Sequence, residues 1–342
     1  MFPNFYGNRA VNQALWQAVT SGRVPQTILL AGPQGVGKAT LARRLAAALL
    51  GNAEKIERDD LSLPENSAYL REREKWPAER RNEDPLIFAS HPDFVTFAPD
   101  GPLRQISIQQ MRLLKELAQY KPLRGNCRVF LIDELDRANE QAANSLLKTL
   151  EEPPEHLLLV ATAENVYELL PTIRSRAVIF HLSPLSEEEM AAFVRARGLS
   201  HPERRIALAQ GRPGLAASLD LEAYDRQREA MLTLLEAAAG AAPFAAWVQQ
   251  SESAAVRQEK LEILLIVVYG LLRDLLVLSR DGAGTLPVRN DDIRPRLQAL
   301  AGRVNFRWLE RAVSRVDEIA SLVRRNIQKT LALDALIAGL RP

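Results

Sequence analysis

The sequence predicts an α/β fold in which a parallel sheet is wound on both faces by helices, followed by a second half built from helices alone. Three observations support this. Apolar runs of strand length alternate with helical stretches as far as Leu182; a glycine-rich loop ending in lysine, Gly32 to Lys38, falls between the first such run and a helix; and no strand signal occurs beyond Leu182. At 342 residues the chain is too long for one ordinary domain, and roughly 150 residues per domain suggests two or three. The expected division is 1–182 for the sheet domain, with a charged insertion over 50–90, then 183–221 for a small helical domain and 222–342 for a C-terminal helical domain.

Taken in order, Val11, Leu15, Ala18 and Val19 recur at helical spacing between Asn8 and Ser21, and Gly22 ends the pattern. Thr27 to Ala31 is a candidate buried strand, and an Ala/Leu/Arg-rich helix follows the glycine loop to about Leu50. From Asn52 to Asp84 mixed charge is dense, Pro64 and Pro77 interrupt, and periodicity is slight, which predicts an inserted surface segment. His91 to Ala98 alternates weakly as a short strand, and Ser107 opens a helix carrying Ile108, Met111, Leu114 and Leu117. Val129 to Ile132 is a third strand, closed by Asp133 and Glu134. Asn139 to Leu150 is helical, Pro153 and Pro154 stop it, and Leu157 to Ala161 is a fourth strand. Ser186 with Glu189 three residues on is a capping box. After a break at Gly211-Arg212-Pro213-Gly214, everything beyond about Leu221 reads as helix, with apolar faces over Leu261 to Leu278 and Leu309 to Leu340.

Composition removes several classes of function. Net charge is +2, so no broad electrostatic footprint for nucleic acid or membrane exists, and any DNA contact is expected to be local. The lone Cys127 excludes an intramolecular disulfide and a cysteine metal cluster, and it suits a reducing, cytoplasmic setting. Met1 to Ala10 has no basic segment followed by an apolar one, so no signal peptide is expected. The longest apolar run, Ile263 to Leu272, is about half of the roughly 20 residues that span a bilayer and reads as a buried helix.

Gly32-Pro33-Gln34-Gly35-Val36-Gly37-Lys38 fits G-x-x-x-x-G-K in its strand–loop–helix context. Gly32, Gly35 and Gly37 let backbone N–H groups wrap a phosphate, Lys38 supplies charge, and the helix N-terminus adds its dipole. ATP or ADP is therefore the ligand class. The next position, where a hydroxyl ligates Mg²⁺, is Ala39; Thr40 is turned about 100° away along the helix. Such a site holds phosphate better than a reactive metal complex. Asp133 and Glu134 end an apolar strand as the metal-side acid and water-polarising acid of P-loop ATPases do. Thr162, at the end of the fourth strand, is a candidate sensor of the γ-phosphate, and Arg174 and Arg176 form a pair on a short turn before the strand-like run Val178 to His181.

These residues, with His91-Pro92-Asp93, the Ile106 to Leu117 helix, Leu131 to Asp136, the Ala143 to Pro154 segment and Leu169 to Arg176, resemble the bacterial replicative clamp-loader subunits among the AAA+ ATPases. Arg325-Asn326 and the following helix fit more weakly. The resemblance implies an AAA+ domain, a lid and a C-terminal collar. Motor-type gamma/tau subunits would be expected to show Ser or Thr at 39, four zinc-binding cysteines in the insertion and an arginine near 214. This chain has Ala39, no cysteine between 50 and 90, and Gly214. By resemblance it is similar to the stationary, delta-prime type, with gamma/tau-like motor function as the alternative. It would then sit in a five-membered ring with gamma/tau and delta subunits and act on a sliding clamp and primer-template DNA through the complex; zinc, which the resemblance would suggest, is not expected, because residues 50–90 offer no cysteine or histidine ligand before His91. Arg176, in Ser175-Arg176-Ala177, would reach as an arginine finger into a neighbour's ATP site. Such a chain would contribute to catalysis without being a competent ATPase alone.

Overall fold

The computed structural model describes residues 1–280, 286–323 and 328–340. Arg325 and Asn326 therefore lie outside the described residues. The chain divides into two compact units, Met1–Pro202 with Ala209–Ser218, and Glu203–Leu208 with Leu219–Pro342.

The first unit is built on a six-stranded sheet. Its strands are β1 (Thr27–Ala31), β2 (Ile87–His91), β3 (Phe94–Phe97), β4 (Arg128–Ile132), β5 (Leu157–Ala163) and β6 (Val178–His181), in the spatial order β2-β3-β4-β5-β1-β6. Pairing is parallel except between β2 and β3. Every residue of β1, β4 and β5 is buried, which explains why these strands read as continuous apolar runs. Their side chains alternate between faces. Leu29, Phe130 and Leu159 pack with the helices Ile108–Leu117 and Glu140–Glu151. Ile28, Leu131 and Val160 pack on the other face with the helices Arg9–Thr20 and Lys38–Leu50.

Three expectations change. The sheet is mixed, because Ile87–His91 forms an antiparallel edge strand that its short, half-exposed sequence did not announce. The insertion is a folded module with helices Ala53–Glu57, Pro64–Arg73 and Ala78–Glu83. Arg73 organises it: fully buried, its guanidinium pairs with Asp100 at 2.7 Å and Asp84 at 3.1 Å and lies 4.5 Å from the Trp76 ring centroid. A buried guanidinium needs such partners, and local periodicity does not reveal them.

The third change concerns 183–221, expected as a separate lid. It does not form a body of its own. Helices Glu187–Ala196 and Pro213–Ser218 belong to the sheet unit, whereas Glu203–Leu208 belongs to the second. The reason is direct bonding: Asn8 exchanges hydrogen bonds of 2.9 and 2.8 Å with Ser183, the Tyr6 and Phe193 rings meet edge to face at 5.4 Å, and the Gly214 N–H donates to the Gly35 carbonyl at 2.8 Å. The capping box at Ser186 and Glu189 forms as expected.

Among its described residues the second unit is helical, with long helices at Leu221–Ala238, Leu261–Arg280, Phe306–Val323 and Lys329–Leu340 around one core. Leu264, Val268 and Leu271 are buried in it, while Ile266 on the same helix stays 64% exposed. No described helix is long and apolar enough to cross a membrane.

Candidate nucleotide site

β1 runs directly into the glycine loop. Gly32 sits at φ 148°, its N–H donates to the Ala163 carbonyl, and a Cβ there would lie 2.2 Å from the Leu182 carbonyl oxygen. Only glycine fits between the ends of β5 and β6. Gly37 is the N-cap residue of the helix Lys38–Leu50, so the first backbone N–H groups of that helix lack helical partners. Lys38 is 8% exposed, and its ammonium donates to the carbonyl oxygens of Gly32 at 2.6 Å and Pro33 at 3.0 Å. Burial lowers its pKa from the ordinary lysine value, against the nearby charges of Asp133, Glu164, Asp136 and Glu134. The result is a buried cation beside a helix N-terminus, an anion site.

A cavity of about 460 Å³ opens on this loop. Gly35, Gly37, Lys38, Asp133, Glu134 and Thr162 all line it, so those sequence candidates converge. Ala39 and Thr40 line it as well, and Ala39 supplies only a methyl group.

The acids are held tightly. Asp133 accepts from the Thr162 hydroxyl at 2.6 Å, and the same hydroxyl accepts from the Glu134 N–H at 2.8 Å. A hydroxyl has one proton. Thr162 gives it to Asp133 in this arrangement and so brackets that acid; the expected part as a polar sensor of a γ-phosphate would use the same hydroxyl. Ala163, which follows, offers no polar group. Glu134 adopts a left-handed backbone, φ 54°, and its carboxylate pairs with Arg137 at 2.7 Å. Burial raises both carboxyls above their usual range; the Thr162 bond opposes this for Asp133, and Arg137 opposes it for Glu134, to which the Asp133 charge adds.

Several lining groups lie far from the motif in sequence. Phe5 and Tyr6 precede the first helix, Phe193 and Gly214 come from the segment after β6, and Asp60 to Leu63 come from the insertion. Gly214 is packed so closely that a Cβ would sit 3.1 Å from the Gly35 carbonyl oxygen. Apart from Gly214, which the family resemblance had singled out, none carried a signal of its own, because nothing local in the sequence records which distant segments close a cavity.

His91 and Asp93 have a structural role. The buried Asp93 accepts from the backbone N–H groups of Leu123 at 2.7 Å, Arg124 at 2.8 Å and Gly125 at 3.3 Å. Burial pushes its carboxyl up, but these three bonds and His91 outweigh burial and leave it below the usual range.

Arg176 does not line the cavity. It follows the short helix Pro171–Arg174, bonds the Thr172 carbonyl at 3.0 Å and pairs with Glu151 at 2.9 Å, with both side chains partly in solvent. Arg174 diverges from it and lies 5.4 Å from the exposed Tyr167 ring centroid. The two arginines are therefore not a single patch.

Residues 81–186 match the family described as DNA polymerase III, delta subunit. A DNA polymerase III subunit gamma from Buchnera aphidicola subsp. Acyrthosiphon pisum is 31% identical over 57% of this chain and 48% of its own length. The Escherichia coli K12 DNA polymerase III subunit tau is 30% identical over 55% of this chain and 26% of its own. The match thus spans about half or less of these relatives. A solved DNA polymerase III gamma subunit-related protein from Thermotoga maritima shares the fold, with 17% identity, a TM-score of 0.51, and coverage of 96% of this chain and 98% of its own. These likenesses are to DNA polymerase III subunits of the delta, gamma and tau types.

Proposed function

We propose that this chain is a clamp-loader subunit of the stationary, delta-prime-like type. It assembles in the cytoplasm with gamma/tau-type motor subunits and a delta subunit in a five-membered ring. Through that complex it helps place a sliding clamp on primer-template DNA, as part of a DNA polymerase III holoenzyme. Its own P-loop holds ATP or ADP without efficient turnover, and Arg176 acts in trans on the neighbouring motor site.

One observation carries this reading: Arg176 is solvent-accessible and absent from the chain's own cavity, while that cavity has a methyl group at Ala39 and its Thr162 hydroxyl bonded to Asp133. An arginine with no phosphate in its own chain to act on is suited to one presented by another chain. The charge developing on a transferring phosphoryl group is what it would stabilise.

The motor-type reading is favoured by a different observation. Lys38, Asp133 and Glu134 surround one cavity, as hydrolysis requires, and the matched relatives are gamma and tau subunits. Reconstitution with motor and delta subunits decides between the two. Arg176→Ala should leave the complex assembled but abolish clamp- and DNA-stimulated hydrolysis at one site, with little effect from Lys38→Ala. Equal ATPase for wild-type and Arg176→Ala complexes defeats the trans-acting role, and a larger loss from Lys38→Ala supports the motor.

A further inference from the structure

The cavity has a wall that no P-loop motif supplies. Residues Asp60 to Leu63 of the insertion line it together with Lys38, and Arg43 lines it as well. Arg43 stands one helical turn beyond Ala39 on the same face of the helix Lys38–Leu50. It is 2% exposed and lines the cavity, yet both of its carboxylate partners come from the insertion: Glu57 at 3.0 Å and Asp60. Asp60 in turn builds the wall. Its second oxygen accepts from the Ser62 N–H at 3.0 Å and the Ser62 hydroxyl at 2.8 Å, and its carbonyl accepts from the Leu63 N–H at 3.1 Å.

We propose that Arg43 couples occupancy of the P-loop by a nucleoside polyphosphate to the conformation of the insertion, by exchanging its bond to Asp60 for attraction to the phosphates. The inference rests on nucleotide binding by this chain, as proposed above. A multiply charged anion beside Lys38 attracts Arg43 and repels Asp60, so both charges act to part the pair. The pair is only partly screened, since the Arg43 side chain is 3% exposed and that of Asp60 26%. Without Arg43, Asp60 loses the charge that compensates it in the wall, and the Ser62–Leu63 turn loses its anchor to the P-loop helix. A ligand that only shields its surroundings would tighten every segment around the cavity. Exchange through Arg43 instead tightens the P-loop and loosens the Asp60 turn.

Hydrogen exchange on the full-length chain, with and without millimolar ATP, reads both segments at once. Amides of 32–40 should slow, while those of Ser62 and Leu63 should exchange about tenfold faster. In Arg43→Gln the turn should exchange fast with or without ATP. Asp60→Asn is a milder change that leaves Arg43 paired to Glu57; it should bind ATP several-fold more tightly and abolish the ATP-dependent change in the turn. Protection of 32–40 together with slowed or unchanged exchange at 62–63 overturns the coupling and leaves nucleotide binding intact. No protection at 32–40 overturns both the coupling and the nucleotide-binding part of the proposed function.

Discussion

The P-loop cavity and the Arg176 turn belong to the same unit and are organised in opposite ways. In the cavity nearly every functional group is satisfied from within the chain: Lys38 by loop carbonyls, Asp133 by Thr162, Glu134 by Arg137. Arg176 has a partly exposed side chain and one carboxylate partner, Glu151, which is itself half exposed. Groups that are buried and internally paired maintain a shape, and their removal costs stability. A cation held loosely at the surface contributes little to stability and is free to exchange its partner for a stronger anion. On the function proposed above, the difference separates a site that binds from a residue that acts elsewhere.

The largest expected effect tests that separation. In the assembled complex, Arg176→Ala should lower hydrolysis at the neighbouring site about a thousandfold, with the chain's own unfolding free energy changed by no more than about 0.5 kcal/mol. Arg176→Lys should rescue poorly, since an ammonium lacks the planar fork. A substantial drop in melting temperature for Arg176→Ala would show that the residue is structural and dissolve the contrast.

Gly32→Ala is the counterpart on the cavity side. With a Cβ 2.2 Å from the Leu182 carbonyl oxygen, it should destabilise the sheet unit by about 3 kcal/mol or more, measured by denaturant unfolding. A neutral outcome would mean that β1 and β6 part easily, contrary to the packing described.

Ala39→Ser probes what the cavity lacks. A hydroxyl on the first turn should raise ATP affinity about tenfold in magnesium and hardly at all in EDTA, read by calorimetry. Turnover should remain slow, because the Thr162 proton is still committed to Asp133. Turnover of the isolated variant near 1 per second or faster would show that the missing hydroxyl alone had silenced a motor.

Two smaller effects sharpen the comparison. Lys38 has a lowered pKa, burial being the main cause. It loses its proton below the ordinary lysine value of 10.5, so ATP affinity should fall as pH rises while still short of that value. Affinity that is constant up to pH 10.5 contradicts the buried placement. Smallest of all, Glu151→Gln should change hydrolysis by the complex only a few-fold, because a half-exposed pair is worth about 0–1 kcal/mol. A hundredfold change would make Glu151 a gate on Arg176 rather than a resting partner.

The strands β1, β4 and β5, the helix after the glycine loop and the convergence of Lys38, Asp133 and Glu134 were legible in the sequence. Fully buried parallel strands must be continuously apolar, and a phosphate loop must carry its glycines and lysine at fixed spacing. Those constraints act along the chain, so the chain records them. Thr162 was legible as a pocket residue but not as a bracket, since only the folded distance of 2.6 Å to Asp133 shows where its proton goes. The insertion looked like solvated surface because its ordering charge, Arg73, finds Asp84 and Asp100 only after folding. The same holds for the segment after β6, whose Gly214 bonds directly to Gly35 at the cavity. Periodicity and motif spacing report which backbone a residue can build, whereas partners brought together from distant segments are decided by packing, and local pattern is blind to them.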